Sequence, residues 1–318
     1  MNVLVITSMN KILAIAPEAL EKYTDWLKIA SRIGQAHGVF FADYPKKKWI
    51  HAFNSRLSSL GLENWDQWNE KKIQEFFIAL KNQNDLISLE SPYLEKSWET
   101  NYLNIGQEKK EKCVAVGSRN NPEGIQDFDK FNPTDITVED TVEKKFQPVE
   151  LVNLLKDFLL HTGKIAIVDR NCYLTTPNGQ LSEFAKFIQE ILRLKSDRLG
   201  QIIIYTKHNP EKYDFLKSVS SLNKTLKETF SAFKTPCWGI KYVSCIEAGA
   251  EMDLHRRMIV TNHSLFILSD SIPGSNKSQS ITRVQSQVAR ENAISLWVDE
   301  KIQIEKVLEA TFQNFIES

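Results

Sequence analysis

The stretch Leu254-His255-Arg256-Arg257-Met258-Ile259-Val260-Thr261-Asn262-His263-Ser264-Leu265-Phe266-Ile267-Leu268 holds two short apolar runs either side of the polar pair Asn262-His263. Runs of that length, rich in β-branched and aromatic residues and broken by an asparagine, predict two strands joined by a tight turn. The reading is a hairpin over Leu254–Thr261 and Ser264–Leu268, turning at Asn262-His263.

Working outward, Lys164-Ile165-Ala166-Ile167-Val168-Asp169 is a continuous apolar run ending in a carboxylate, as a strand buried on both faces would be. Gln201–Tyr205 and Trp238–Cys245 read as further strands. Val149–His161 sets Leu151, Leu154, Leu155 and Phe158 on one helical face, and Leu181–Leu194 and Pro210–Phe233 are also expected as helices. Ala293–Val298 is expected as a last strand and Ile302–Ile316 as a closing helix. After its opening helix the order is β-α-β-α-β-β-β-β-α, which implies a mixed sheet flanked by helices over residues 148–318.

Residues 1–118 read as a smaller α/β domain. Val3–Ile6, Val39–Phe41, Leu86–Leu89 and Cys113–Val116 are its expected strands, with helices from Pro17, around Trp49–Leu60 and around Glu70–Asn82. Thr7-Ser8 and Asp43 follow two of those strands, where open α/β sheets bind ligands. No G-x-G-x-x-G or P-loop accompanies them. Residues 119–147 carry Asn120-Asn121-Pro122, Asn132-Pro133 and the acidic run Glu139–Glu143 with little periodicity, and are expected to link the two halves.

Composition bounds the function. Of 318 residues, 42% are hydrophobic and 25% charged, in the range of an ordinary globular chain. Lys+Arg and Asp+Glu are both 40, so any nucleic-acid contact must come from a local patch and not from bulk charge. Such a patch lies between Asp253 and Glu291, where Arg256, Arg257, Lys277, Arg283 and Arg290 outnumber Asp253, Asp270 and Glu291. Arg256, Lys277 and Arg283 are its candidate phosphate-binding groups. The four cysteines are widely spaced with no C-x-x-C pair, so no metal and no cofactor are expected. Met1–Thr7 opens in a strand-like run without a basic leader, and no apolar run approaches a membrane span; the expected location is cytoplasmic.

His255 and Arg257 stand at i and i+2, which on a strand projects them from one face. An imidazole can attack phosphorus or donate a proton, and a guanidinium forks onto phosphate oxygens. Asn262 at i+7 is placed past the strand end, with an amide able to orient the imidazole.

This spacing resembles the phospholipase D superfamily motif, His-x-Lys-x4-Asp, with Arg257 at the lysine and Asn262 at the aspartate. It is more similar still to the phospholipase D-like domain at the C-terminus of MIT-domain proteins, whose relatives occur in prokaryotic defence-type proteins. That family's strand reads Leu-His-Asp-Arg before a hydrophobic hairpin, and its first strand ends in an acidic residue, here Asp169. The superfamily's downstream Gly-Ser-x-Asn would begin near residue 269, where this chain has Ser269-Asp270-Ser271-Ile272 instead; Ser269 stands at that position as a supporting residue. The resemblance covers residues 148–318 and implies a site made of His255, Arg257 and Asn262. Arg256 replaces the family's aspartate, and the second motif that catalysis requires is missing. The resemblance therefore implies a non-catalytic, phosphate-binding subunit or effector of an antiviral defence assembly, acting on nucleic acid alongside partner protein subunits. The alternatives are a metal-independent nuclease or phosphodiesterase working through a phosphohistidine in a homodimer, and a scaffold without a working site.

Overall fold

The computed structural model describes residues 9–19, 29–34, 37–46, 48–59, 67–82, 86–89, 97–106, 110–118, 120–132, 136, 138–176, 178, 180–194, 200–209, 220, 224, 238–246, 254, 256–272, 278–302 and 305–312. The chain is mixed α/β and divides into two compact units, Met1–Glu139 and Asp140–Ser318.

The first unit is built on strands β1 (Lys11–Ile15), β2 (Val39–Asp43), β3 (Leu86–Ser88), β4 (Cys113–Gly117) and β5 (Gln126–Asp127). All neighbours pair parallel, in the order β3-β2-β1-β4-β5. Helices α1 (Trp49–Ser59), α2 (Gln67–Asn82) and α3 (Trp98–Tyr102) lie between the strands in sequence. The expected first strand, Val3–Ile6, lies outside the described residues; β1 comes several residues later and takes the centre of the sheet. From Pro17 a single 3-10 turn, Pro17–Ala19, is described where a helix start is expected.

This unit is held by aromatic packing. Trp49 stacks on Phe53 with ring centres 5.3 Å apart and meets Phe41 edge-on at 4.8 Å. The Trp49 indole N–H donates to the Ile15 carbonyl, and Trp98 Nε1 donates to the Tyr44 carbonyl at 2.9 Å. Backbone acceptors at the end of β1 and just past β2 are thus taken up by large side chains.

The second unit opens with β6 (Thr141–Lys144) and helix α4 (Pro148–Leu160). Proline at the first helical position and a reciprocal cap between Gln147 and Glu150 reduce the orphaned donors at the start of α4. Then come β7 (Lys164–Val168), helix α5 (Glu183–Leu194), β8 (Gly200–Lys207) and β9 (Trp238–Ile246). The hairpin β10 (Arg257–Thr261) and β11 (Leu265–Leu268) follows, then β12 (Gln279–Arg283), helix α6 (Gln287–Ala293) and β13 (Glu305–Phe312). The sheet order is β13-β9-β8-β7-β10-β11-β12-β6. β7, β8 and β9 run parallel, and every other pairing is antiparallel.

Three expectations change. Residues 119–147 supply a strand to each sheet, β5 and β6, because Val142 pairs with Ile281 and buries itself. Ala293–Val298 is helical: α6 runs on into a π turn over Ile294–Val298, which lays Trp297 against Tyr205 at 5.0 Å. The region expected as a closing helix contains β13, whose lysine and glutamates favour a helix locally but which is drawn into pairing with β9. The long helix expected over Pro210–Phe233 falls almost wholly outside the described residues.

Register fixes which side chains share a face. Tyr242, Ile204, Ile167, Ile259, Phe266 and Arg283 are successive partners across β9, β8, β7, β10, β11 and β12. Phe158 of α4 packs edge-on against Phe266 at 5.0 Å, which marks this as the face that α4 covers. Full burial of one such phenylalanine stabilises by about 2–3 kcal/mol. Val243, Tyr205, Val168 and Met258 form the row on the opposite face, under Trp297. Among the described residues no helix is long and apolar enough to cross a membrane.

Candidate functional site

At the carboxyl ends of β7, β8 and β9 the apolar rows give way to a polar one. Thr206 pairs with Ser244, and the partners Val168–Tyr205 and Val168–Met258 bring Asp169 beside Thr206 and Arg257. The Asp169 N–H donates to the Tyr205 carbonyl at 3.2 Å, which continues the ladder one residue past β7. Ser244, Thr206, Asp169 and Arg257 therefore lie side by side across four strands, on the α4 face. The first three are buried, and the Arg257 side chain keeps 24% of its surface exposed, which makes it the member of the row open to a ligand.

Asp169 organises the rim. One carboxylate oxygen accepts from the Asn171 N–H at 2.9 Å and the other from the Ile272 N–H at 3.1 Å. Arg257 Nε stands 4.0 Å away. Burial pushes the Asp169 carboxyl above the ordinary aspartate value, while the two backbone bonds, Arg257 and Ser271 pull it back. Burial and the Asp169 charge raise the neighbouring Cys172 thiol well above its usual range, so it sits protonated beneath the rim.

Arg257 is held but not saturated. Nε donates to Ser271 Oγ at 3.3 Å and Nη1 to the Ser269 carbonyl at 3.1 Å. Nη2 lies 3.9 Å from Asp270 Oδ1, an ionic contact too long for a hydrogen bond. The remaining guanidinium N–H groups meet no acceptor among the described residues. The supporting loop is pinned in turn: Gln279 Nε2 donates to the carbonyls of Asp270 at 2.7 Å and Ser271 at 3.2 Å, and Asn171 Nδ2 donates to Ser271 Oγ at 3.1 Å.

At the other end of the row Thr206 Oγ1 donates to the Arg170 carbonyl at 3.3 Å. Ser244 Oγ meets His208 Nδ1 at 3.2 Å, and the His208 N–H donates to the Cys245 carbonyl at 2.8 Å.

The structure brings together Asp169, Arg257 and Ser269, although Ser269 contributes its carbonyl to Arg257, and its hydroxyl instead accepts from the Ser280 N–H at 2.9 Å. Arg256 is exposed beside them. His255 and Lys277 lie outside the described residues. Asn262 is at the opposite end of β10, about 16 Å along the strand at the usual rise per residue. There its Oδ1 accepts from Thr162 Oγ1 at 2.7 Å, the Lys164 N–H at 2.8 Å and the Gly163 N–H at 3.1 Å. It braces the turn into β7 and does not reach Arg257. Arg283 is also elsewhere. Its side chain is 1% exposed and ion-paired with Asp140, so it pins β12 to the start of β6 and has no surface to offer a phosphate. In the first unit Asp43 closes β2, and Thr7-Ser8 lie outside the described residues.

Thr206, Ser244, His208, Asn171 and Ser271 are the members that sequence reading missed. The available signal was a polar residue at or just past the end of each apolar run. Among the described residues no cluster of three or more His, Cys, Asp or Glu side chains is placed to hold a metal. No model of a known protein family matches the chain, and no curated protein does either.

Proposed function

We propose that this carboxyl edge recognises a phosphate group of nucleic acid without turnover, as part of a prokaryotic defence assembly. The observation that carries the recognition is Arg257: its guanidinium is oriented by Ser269 and Ser271, backed by a buried carboxylate, and still has N–H groups to give. Open α/β sheets take their ligands at the carboxyl ends of parallel strands, and a pre-oriented guanidinium loses little freedom when it closes on an anion. The Asp270 contact does not block this, because an exposed pair nearly 4 Å apart is worth about 0–1 kcal/mol. The defence setting and the absence of turnover rest on the resemblance to phospholipase D-like domains in defence proteins and on the single motif. Arg283 and Asn262 have no part in the proposed site.

The test is binding of fluorescein-labelled single-stranded DNA, followed by anisotropy over a salt series. Affinity is expected to fall with salt, as phosphate contacts require, and Arg257→Ala to weaken it about tenfold or more, the worth of a charged hydrogen-bonded contact. Binding that ignores both salt and Arg257 would refute the reading. Strand cleavage in EDTA that disappears in His255→Ala would replace it with hydrolysis.

A further inference from the structure

The loop that leaves β7 is folded back by Asp169. One carboxylate oxygen takes the Asn171 N–H at 2.9 Å and the other takes the Ile272 N–H at 3.1 Å. The Asn171 carbonyl in turn accepts from the Tyr173 N–H at 2.8 Å. One buried side chain thus ties the loop after β7 to the loop after β11. Their meeting brings Asn171 to Ser271, where Nδ2 donates to Oγ at 3.1 Å. The same oxygen accepts from Arg257 Nε at 3.3 Å. The two nitrogens therefore stand no more than about 6.4 Å apart.

A carboxamide nitrogen carries two hydrogens and a guanidinium five. Ser271 takes one from each residue. The second Asn171 amide hydrogen meets no acceptor among the described residues, and Asn171 is exposed to solvent. Arg257 keeps a quarter of its side chain exposed on the same rim.

We infer that Asn171 is a second contact for the phosphate that Arg257 takes, donating its remaining amide N–H from the far side of Ser271. The inference rests on the phosphate reading above and extends it to the loop after β7. A phosphodiester offers two non-bridging oxygens, each accepting at about 2.8 Å, so donors this close fall within reach of one group. The Ser271 hydroxyl already shows that donors from both residues converge on one oxygen. Asp270 shares the rim: its Oδ1 accepts from the Ser271 N–H at 2.7 Å and stands 3.9 Å from Arg257 Nη2. Asn171 adds a contact there without adding charge, which leaves the salt dependence of binding to Arg257. Asp169 is the positioning residue, because it touches no ligand and acts by holding the backbones of Asn171 and Ile272.

The experiment uses the full chain and the same labelled single-stranded DNA over a salt series. Asn171→Ala is expected to weaken binding about fivefold to tenfold, the worth of one hydrogen bond, with the salt dependence of the parent chain. Asn171→Asp keeps the size of the side chain but turns its donor into an anion, and is expected to weaken binding further. Thermal unfolding of each variant separates lost contact from lost fold. Ser271→Ala removes the bridge and leaves both donors, so the double variant Asn171→Ala/Ser271→Ala is expected to bind more weakly than Ser271→Ala. Equal binding by those two would mean that Asn171 only steadies Ser271, and would overturn the inference. A shallower salt dependence in Asn171→Ala would overturn it too, since the loss would then come from a displaced Arg257. If Arg257→Ala weakens binding while folded Asn171→Ala and Asn171→Asp bind like the parent chain, Asn171 is not a contact and the phosphate reading survives. If Arg257→Ala has no effect, the phosphate reading fails and the inference with it.

Discussion

The two sheets of this protein share a design at their carboxyl edges and use it differently. In the first unit, parallel β1 and β2 run out under tryptophans: Trp49 takes the Ile15 carbonyl and Trp98 the Tyr44 carbonyl, and Trp49 joins a ring cluster with Phe41, Phe53 and Phe77. In the second unit, parallel β7, β8 and β9 end on Asp169, Thr206 and Ser244, with Arg257 alongside. Both edges occupy the place where open α/β sheets bind ligands. In the second, the Arg257 guanidinium keeps donors that meet no acceptor among the described residues. Position in a fold is thus permissive, and the side chains decide whether a site exists.

That contrast can be broken by experiment, beginning with its largest effect. Trp49→Ala removes a fully buried indole and its hydrogen bond and is expected to cost about 3–5 kcal/mol in urea unfolding. Nucleic-acid binding should stay at the parent level in conditions where the variant remains folded. A folded Trp49→Ala protein with no binding would put the first unit into the site.

The next effect separates residues that the sequence nominates from residues that the sheet assembles. Arg283→Met removes the ion pair with Asp140, which is 34% exposed and can rehydrate, so the expected cost is about 1–3 kcal/mol. Asn262→Ala deprives Thr162, Gly163 and Lys164 of a shared acceptor at a partly solvated turn, for about 1–2 kcal/mol. Affinity for labelled DNA is expected to be unchanged in both. A tenfold loss in either, with the fold intact, would return that residue to the site.

The smallest effect is pH-dependent. Burial, and then the Arg290 charge, hold the His263 imidazole below its ordinary value of 6.5. Below that value the unfolded chain binds the proton before the folded one does, so His263 reduces stability as pH falls through the window beneath 6.5. His263→Asn should flatten that part of the stability curve; an unchanged slope would show that the imidazole is not strained by its surroundings.

The hairpin β10–β11 was legible because two apolar runs flank Asn262-His263, and β7 was legible as an apolar run closed by Asp169. β13 was not, since Glu305-Lys306 and Glu309-Ala310 favour a helix in isolation and only the exposed side of β9 makes them a strand. The apolar run from Ala293 to Val298 is too short for periodicity to separate strand from helix, and packing of Trp297 on Tyr205 selects the helix. Half of the candidate site was legible. Arg257 and Asp169 stand out in the sequence, because one lies in a short motif and the other ends a strand. Thr206, Ser244 and His208 could not be joined to them, because parallel register between strands distant in sequence is what sets them in one row. The same spacing that singled out Arg257 misplaced Asn262, since i+7 along a strand leads to its other end.

The most direct test of the account is the affinity of the full chain for labelled single-stranded DNA, measured for the parent and for Arg257→Ala across a salt series. Binding is expected to weaken with rising salt, with about a tenfold or larger loss in Arg257→Ala and a shallower salt dependence, since one phosphate contact is gone. Equal affinity and equal salt dependence in the two proteins would contradict it.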